Sequence, residues 1–195
     1  MAKSATQALS TPQERTLEAL RQMALLIGAS VFVALCATKG SISLLPLTPV
    51  PLTLQNFAVL LVGLLLGSRR GFAAMMLYLV EGIAGLPVFN AGPGGIAQLF
   101  GVTGGFLLAY PFVAFLAGWM FERGNKTFAR AAVAGIAAEA LLFAGGIAWL
   151  YAFTHSMAKA AYFGLYWFMA AEVIKVVAAA GIASRWYRSA SRKAA

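Results

Sequence analysis

Charge is scarce in this chain of 195 residues: only 11% are Asp, Glu, Lys or Arg, and none of the six acids is Asp. A water-soluble domain carries roughly a quarter of its residues as charged side chains, whereas 61% of this chain is hydrophobic. The composition therefore argues against a soluble enzyme and predicts an integral membrane protein. The formal net charge is +9, but so little polar surface argues against nucleic acid as a partner.

Residues that hold metals or act as nucleophiles are also few. The single cysteine, Cys36, cannot close an intrachain disulfide, and no CxxC or His/Cys cluster is present to bind zinc. The chain has no GxxxxGK[S/T] phosphate loop, no GxSxG and no HExxH. We predict no metal, no cofactor and no ATP hydrolysis by this chain. An enzyme is disfavoured because its reaction would depend on three isolated groups, Glu139, Glu172 and Lys175.

Long apolar segments predict the fold class. At about 20 residues per span, they indicate an all-α bundle of six transmembrane helices. The predicted spans are 22–38, 54–67, 71–86, 105–121, 129–153 and 161–184, with a tight hairpin at 68–70. The first 21 residues lack the apolar core of a signal peptide, so the predicted parts are a cytoplasmic lead (1–21), a membrane domain (22–185) and a basic cytoplasmic tail (186–195).

The distribution of Lys and Arg predicts the orientation. Twelve of the 15 lie in the lead, in the connections near 68–70 and 122–128, and in the tail. Cytoplasmic loops retain such residues, so we expect both termini in the cytoplasm and the segments 39–53, 87–104 and 154–160 outside. Topology accounts for the basic tail, and contact with anionic membrane lipid is the alternative.

Of the other three cations, Lys39 and Lys159 lie on the predicted outward side, and Lys175, within a span, is the one that topology does not explain. It lies about halfway along the last predicted span, three residues after Glu172. Each charge alone costs roughly 2.5–3.5 kcal/mol at mid-span, and the spacing puts both side chains on one helical face. The pair is either a self-neutralised ion pair or a ligand site, and we favour the ligand site. Glu81 and Glu139 have three possible roles at this point: lining a cavity, carrying a proton, or accepting a structural hydrogen bond.

Two outward segments predict a binding pocket capped by loops. Residues 90–105 include six glycines and no charge, which suits a loop that folds over a ligand and offers backbone N–H groups; a re-entrant connection is the alternative. Three prolines within 46–51 disfavour a helix and place Thr53, Gln55 and Asn56 at the mouth of the second span. Such uncharged groups suit a small, partly apolar ligand with amide-like groups.

At these residues the chain resembles the BioY family, the biotin-binding substrate components of energy-coupling factor (ECF) transporters. The resemblance is densest in TPVPLTLQNFAVLLVGLLLGSRRG (48–71), in GLPVFNAGPGGIAQLFGVTGGFLLAY (85–110) and at Glu172 and Lys175. The family usually has Asp where this chain has Glu172. The resemblance implies six helices with an outward-facing pocket in the bacterial cytoplasmic membrane, and high-affinity biotin uptake. It also implies a transmembrane coupling protein and cytoplasmic ATPase subunits, which supply the hydrolysis.

From the resemblance and the residues together we expect biotin to enter ring first. Glu172 would then accept a ureido N–H, Lys175 would donate to the ureido oxygen, and the outer loops would meet the biotin carboxylate; in the rival pose Lys175 pairs with that carboxylate. The candidate substrate-binding residues are Thr53, Gln55, Tyr78, Asn90, Gly94, Gly95, Trp167, Glu172 and Lys175.

Small residues at helical spacing in the first span predict close helix packing. They are Ala24, Gly28, Ser30 and Ala34. Packing inside the bundle is one interpretation, but in complexes of this family the stripe docks a partner, and we favour that interface. The alternative function is a stand-alone proton-coupled carrier in which Glu81 or Glu139 titrates.

Overall fold

The computed structural model describes residues 11–90 and 95–194, and most of this part of the chain is helical. In chain order the elements are α1 (Pro12–Thr38), β1 (Ser41–Ile42), β2 (Leu52–Thr53), α2 (Gln55–Leu66), α3 (Ser68–Ile83), α4 (Ile96–Leu99), α5 (Gly104–Glu122), α6 (Phe128–Thr154), α7 (Met157–Ala161), a π-helical turn (Tyr162–Tyr166) and α8 (Met169–Ala194). The two short strands pair antiparallel, with Ser41 opposite Thr53.

Helix α1 begins earlier than the first predicted span. Thr11 and Glu14 form a capping box, in which each side chain accepts a hydrogen bond from the backbone of the other residue, and Pro12 follows the cap. This combination is a strong helix start. The second half of the predicted lead is therefore helical and continuous with the first apolar segment.

Helix α2 lies at the centre of the bundle. It contacts α1, α3, α5, α6 and α8, and its buried residues include the run from Ala58 to Leu64. A helix that is apolar all round is expected inside a protein. At about 1.5 Å per residue, its 12 residues are too short to cross the roughly 30 Å hydrocarbon core of a bilayer.

The junction between α2 and α3 differs from the predicted hairpin. Gly67 alone separates the two helices, and Ser68 and Arg69 already belong to α3. Gly67 adopts φ +84°, which favours glycine, and the Glu122 carboxylate accepts hydrogen bonds from the Ser68 backbone N–H (3.1 Å) and hydroxyl (2.7 Å). The turn is tighter than predicted because a carboxylate from α5 caps the new helix.

The last predicted span is broken rather than continuous. The segment Met157–Tyr166 and helix α8 meet at an angle of 45°. Glu172 consequently lies in the first turn of α8, not halfway along a straight helix. The bend brings the start of α8 against the start of α2, where Lys175 contacts Asn56.

Three of the described helices, α1, α5 and α6, are long and apolar enough to cross a membrane, and the bent pair makes a fourth candidate. Helices α2 and α8 run in the same direction, since Lys175 contacts Asn56 near their starts and the Tyr187 hydroxyl donates to the Leu65 carbonyl near their ends. The basic connections after α2 and α5 thus lie at the opposite end of the bundle from Asn56 and Lys175.

Candidate binding cavity

A cavity of about 400 Å³ lies where α2, α5 and α8 begin. This volume is within the range of small-molecule sites, about 300–1,000 Å³. Its polar lining comprises Thr53, Gln55, Asn56, Asn90, Gln98, Thr103, Glu172 and Lys175. Its apolar and aromatic lining includes Val50, Phe89, Phe106, Tyr110, Leu142, Phe143 and Phe168. An apolar wall with few polar groups suits a small organic ligand.

Four polar side chains from three helices meet at one side of this cavity. Lys175 Nζ donates to Glu172 Oε1 at 2.6 Å and to Asn56 Oδ1 at 2.9 Å. The Asn56 amide nitrogen donates to Glu172 Oε2, and to Glu139 Oε1 at 3.3 Å. We call Asn56, Glu139, Glu172 and Lys175 the polar cluster. All four are only 5–7% exposed, so the charges of Glu172 and Lys175 are compensated mainly by each other.

The polar cluster keeps capacity for a ligand. An ammonium group has three N–H donors, and Lys175 uses two of them within the described residues. A carboxylate has about four acceptor positions, and Glu172 uses two. The cluster can therefore offer one donor and further acceptors to a ligand that bears both an N–H and a carbonyl oxygen.

The other polar groups come from the segments before α2 and α5. Asn90 lines the cavity with an amide nitrogen that is buried and without a hydrogen-bond partner among the described residues. Nearby, Gln98 Nε2 donates to the Asn90 carbonyl at 2.7 Å. A buried unsatisfied donor is costly unless a ligand or water meets it, so Asn90 is a candidate ligand contact.

Five of the predicted site residues line the cavity: Thr53, Gln55, Asn90, Glu172 and Lys175. Tyr78 does not; its hydroxyl accepts from Gln55 Nε2 at 2.8 Å and donates to the Val88 carbonyl at 2.9 Å, so it supports Gln55 from behind. Trp167 packs against other aromatic rings instead, and the neighbouring Phe168 faces the cavity.

Neither of the two glycines predicted to contact the ligand, Gly94 and Gly95, is among the described residues that line the cavity. The Gly95 N–H donates to the Gly82 carbonyl at 2.6 Å, and Gly95 is not among the lining residues. That donor is therefore occupied within the chain. Gly94 lies outside the described residues.

The small-residue stripe of α1 is divided between two faces. Ser30 is fully buried, and its hydroxyl donates to Glu81 of α3. Ala24 and Gly28 are exposed and Ala34 is half-buried. Ser30 thus serves the packing of α1 within this chain, Ala34 also packs partly against the core, and the exposed face contains Ala24 and Gly28.

Sequence reasoning missed much of the aromatic wall, including Phe89, Phe106, Tyr110 and Phe143. An aromatic residue in an apolar span carries no signal that separates a cavity wall from ordinary packing. Gln98 and Thr103 were findable, because they are polar residues within the glycine-rich segment. In the described part of the chain, no three His, Cys, Asp or Glu side chains are grouped to hold a metal ion.

Known proteins of one family resemble this chain over most of its length. The BioY family model matches residues 6–192. The chain belongs to the BioY family. Its relatives include a biotin transporter of Thermotoga maritima, 39% identical over 82% of this chain and 94% of the relative, and a probable biotin transporter of Pyrococcus horikoshii, 36% identical over 80% and 91%.

A solved structure shows the same fold. It is the S-component for biotin from an ECF-type ABC transporter, which superposes with a TM-score of 0.79, at 22% sequence identity, over 92% of this chain and 95% of that one. BioY family relatives are named as transporters, and the matched fold is that of a transporter component rather than an enzyme. The chain is accordingly a multi-pass membrane protein of a transporter family.

Proposed function

We propose that this chain binds biotin in the cavity and delivers it across the bacterial cytoplasmic membrane as the substrate-specific S component of an ECF-type transporter. The observation that carries the proposal is the polar cluster at the cavity wall, where Glu172 and Lys175 keep unused hydrogen-bonding capacity. Relatives named as biotin transporters support the choice of ligand. The solved structure with the same fold comes from an ECF-type ABC transporter, which is ATP-driven, and this disfavours the stand-alone carrier.

The proposed pose places the ureido ring of biotin at the polar cluster. Glu172 accepts a ureido N–H, and the remaining N–H of Lys175 donates to the ureido oxygen. These are charge-assisted hydrogen bonds, which are the stronger kind. The aliphatic chain then lies along the aromatic wall, and the biotin carboxylate reaches the Asn90 amide nitrogen, which has no partner among the described residues, beside Thr53 and Gln55.

The proposed assembly has six helices in the membrane, α1, α2, α3, α5, α6 and α8, with both termini in the cytoplasm and the cavity facing outward. The positive-inside distribution supports this orientation. ATP hydrolysis comes from cytoplasmic ATPase subunits acting through a transmembrane coupling protein. The exposed α1 positions Ala24 and Gly28, with the half-buried Ala34, are the proposed contact with that protein.

Calorimetry on the purified protein tests the function. We expect tight, stoichiometric binding of biotin by the parent chain and loss of binding in Glu172→Ala and Lys175→Ala. Equal binding by all three proteins would remove the polar cluster from the site. No binding by the folded parent would refute the function itself.

Biotin amide, which lacks the carboxylate charge, tests the pose. In ring-first binding the carboxylate meets Asn90 and its neighbours, so the parent should bind biotin amide more weakly than biotin. A Lys175 variant that still binds biotin should show the same ratio of the two affinities. If the amide penalty disappears when Lys175 is replaced, Lys175 pairs with the carboxylate and the rival pose is correct.

A further inference from the structure

Glu139 is a buried carboxyl group that the proposed pose does not use. It lies on α6 behind the cavity, outside the lining residues. Its Oε1 accepts a hydrogen bond from the Asn56 amide at 3.3 Å, and its Oε2 is buried without a partner among the described residues. A carboxyl group in this position is expensive to bury, so its role needs an explanation.

Asn56 connects Glu139 with the charges at the cavity. Its two amide N–H groups point to the two carboxylates, and its Oδ1 accepts from Lys175 at 2.9 Å. A side-chain amide can turn by 180° and exchange donor and acceptor. With Glu139 as a second acceptor, both N–H groups are held on one side, so Oδ1 is directed to the ammonium group.

We propose that Glu139 is a positioning residue for the ligand: it orients the Asn56 amide, which in turn holds the Lys175 ammonium at the cavity. This inference rests on the proposed function and deepens it. Glu139 acts as a hydrogen-bond acceptor and does not have to take up or release a proton.

The packing of α6 separates this role from a purely structural one. Helix α6 packs mainly against α5 and α8 and touches α2 only slightly. In the described part of the chain, Asn56 and Glu139 form the one side-chain hydrogen bond between α2 and α6. Removing that bond therefore leaves the main contacts of α6 intact, and its effect should be seen in ligand affinity more than in thermal stability.

A double-mutant cycle with biotin tests the proposal. We expect Glu139→Met and Asn56→Ala each to weaken biotin binding by about tenfold or more, as for loss of a hydrogen bond to a charged group. Because Glu139 acts through Asn56, the double variant should bind about as well as Asn56→Ala alone. Losses that multiply in the double variant, or an unchanged affinity of Asn56→Ala, would overturn the proposal.

Glu139→Gln is the matched control, since it keeps an acceptor oxygen and removes the ionisable group. We expect its affinity within about threefold of the parent, consistent with one retained hydrogen bond. A folded Gln variant as weak as Glu139→Met would assign an ionisable role to Glu139 and contradict positioning. If the Met variant does not fold, the shorter Glu139→Ala replaces it in the same cycle. A parent that binds no biotin refutes the proposed function instead, so the two failures are distinguishable.

Discussion

At the end of the bundle where α2 begins, carboxylates are held by side chains, whereas at the end where α2 terminates a carboxylate is held by a helix terminus. Glu172 is bound by Lys175 and Asn56. Glu122 accepts hydrogen bonds from the backbone and hydroxyl of Ser68. The partners at the cavity are themselves able to contact a ligand, but the N–H of Ser68 belongs to the fold.

Backbone packing strengthens this contrast. A Cβ added at Gly63 would lie 2.4 Å from the Ala114 carbonyl oxygen, and one added at Gly118 would lie 2.5 Å from the Ser68 nitrogen. Small residues thus allow α5 to lie directly against α2 and the start of α3. The junction of α2, α3 and α5 beside Glu122 is close-packed, whereas the other end of the bundle encloses the binding cavity. Substitutions at the cavity should change affinity, and substitutions at the Glu122 end should change stability.

The largest expected effect is at the cavity. Lys175→Met should weaken biotin binding by at least about 100-fold, because it removes a buried charge and leaves Glu172 without its ion-pair partner. Calorimetry on the purified variant measures the loss. Lys159→Met is the matched control, since Lys159 is exposed, and it should bind like the parent. Similar affinity in both variants would contradict the comparison.

Gly67→Ala should destabilise the Glu122 end of the bundle. The added Cβ would lie 1.9 Å from Glu122 Oε1, at a backbone φ of +84°, so we expect a loss of about 2–3 kcal/mol in unfolding free energy. Denaturation in detergent measures it, and the folded fraction should keep the parent's biotin affinity. Gly181→Ala, where an added Cβ meets nothing within 4 Å, should leave stability unchanged or slightly higher. A matching drop in affinity in Gly67→Ala would show that the two ends are coupled.

Tyr78→Phe tests the layer behind the cavity. The variant loses the hydroxyl that links Gln55 to the Val88 carbonyl, so stability should fall by about 1 kcal/mol and biotin affinity by several-fold. The mostly exposed Tyr166 provides the control variant Tyr166→Phe. If Tyr78→Phe lowers stability alone, the hydroxyl supports the fold and not Gln55 as a ligand contact.

Glu122→Gln should have the smallest effect. It keeps an acceptor for Ser68 but removes the negative charge from the start of α3, which is worth about 0.3–1 kcal/mol. Thermal unfolding measures the shift, and Glu18→Gln on the exposed part of α1 serves as control. A change in biotin affinity would show that the Glu122 end also contributes to binding.

Much of the fold was predictable because its signals are local. The apolar segments correspond to α1, α2, α3, α5, α6 and α8, and the spacing of Glu172 and Lys175 predicted their contact within one helix. The break before α8 was missed, since no proline marks it. The choice of Phe168 over Trp167 as the wall residue depends on that same bend.

Contacts between residues far apart in the sequence could not be predicted from local sequence patterns. Asn56 and Glu139 are separated by 83 positions, and Asn56 and Glu172 by 116. Glu139 had several open interpretations, because a buried acid reveals its role only through its partners. The Gly95 N–H was predicted to be available, but its acceptor, the Gly82 carbonyl, lies on a segment that only the folded chain brings near.

By itself, the sequence determined that this protein is a helical membrane protein. It also determined which connections between helices are basic, and that a Glu and a Lys share one helical face. Those properties follow from hydrophobicity and from the 3.6-residue helical repeat, which are local. The tertiary structure decided that α2 is central, that α8 bends, and that Asn56 and Glu139 complete the polar cluster. These depend on packing between distant helices, which no single segment encodes.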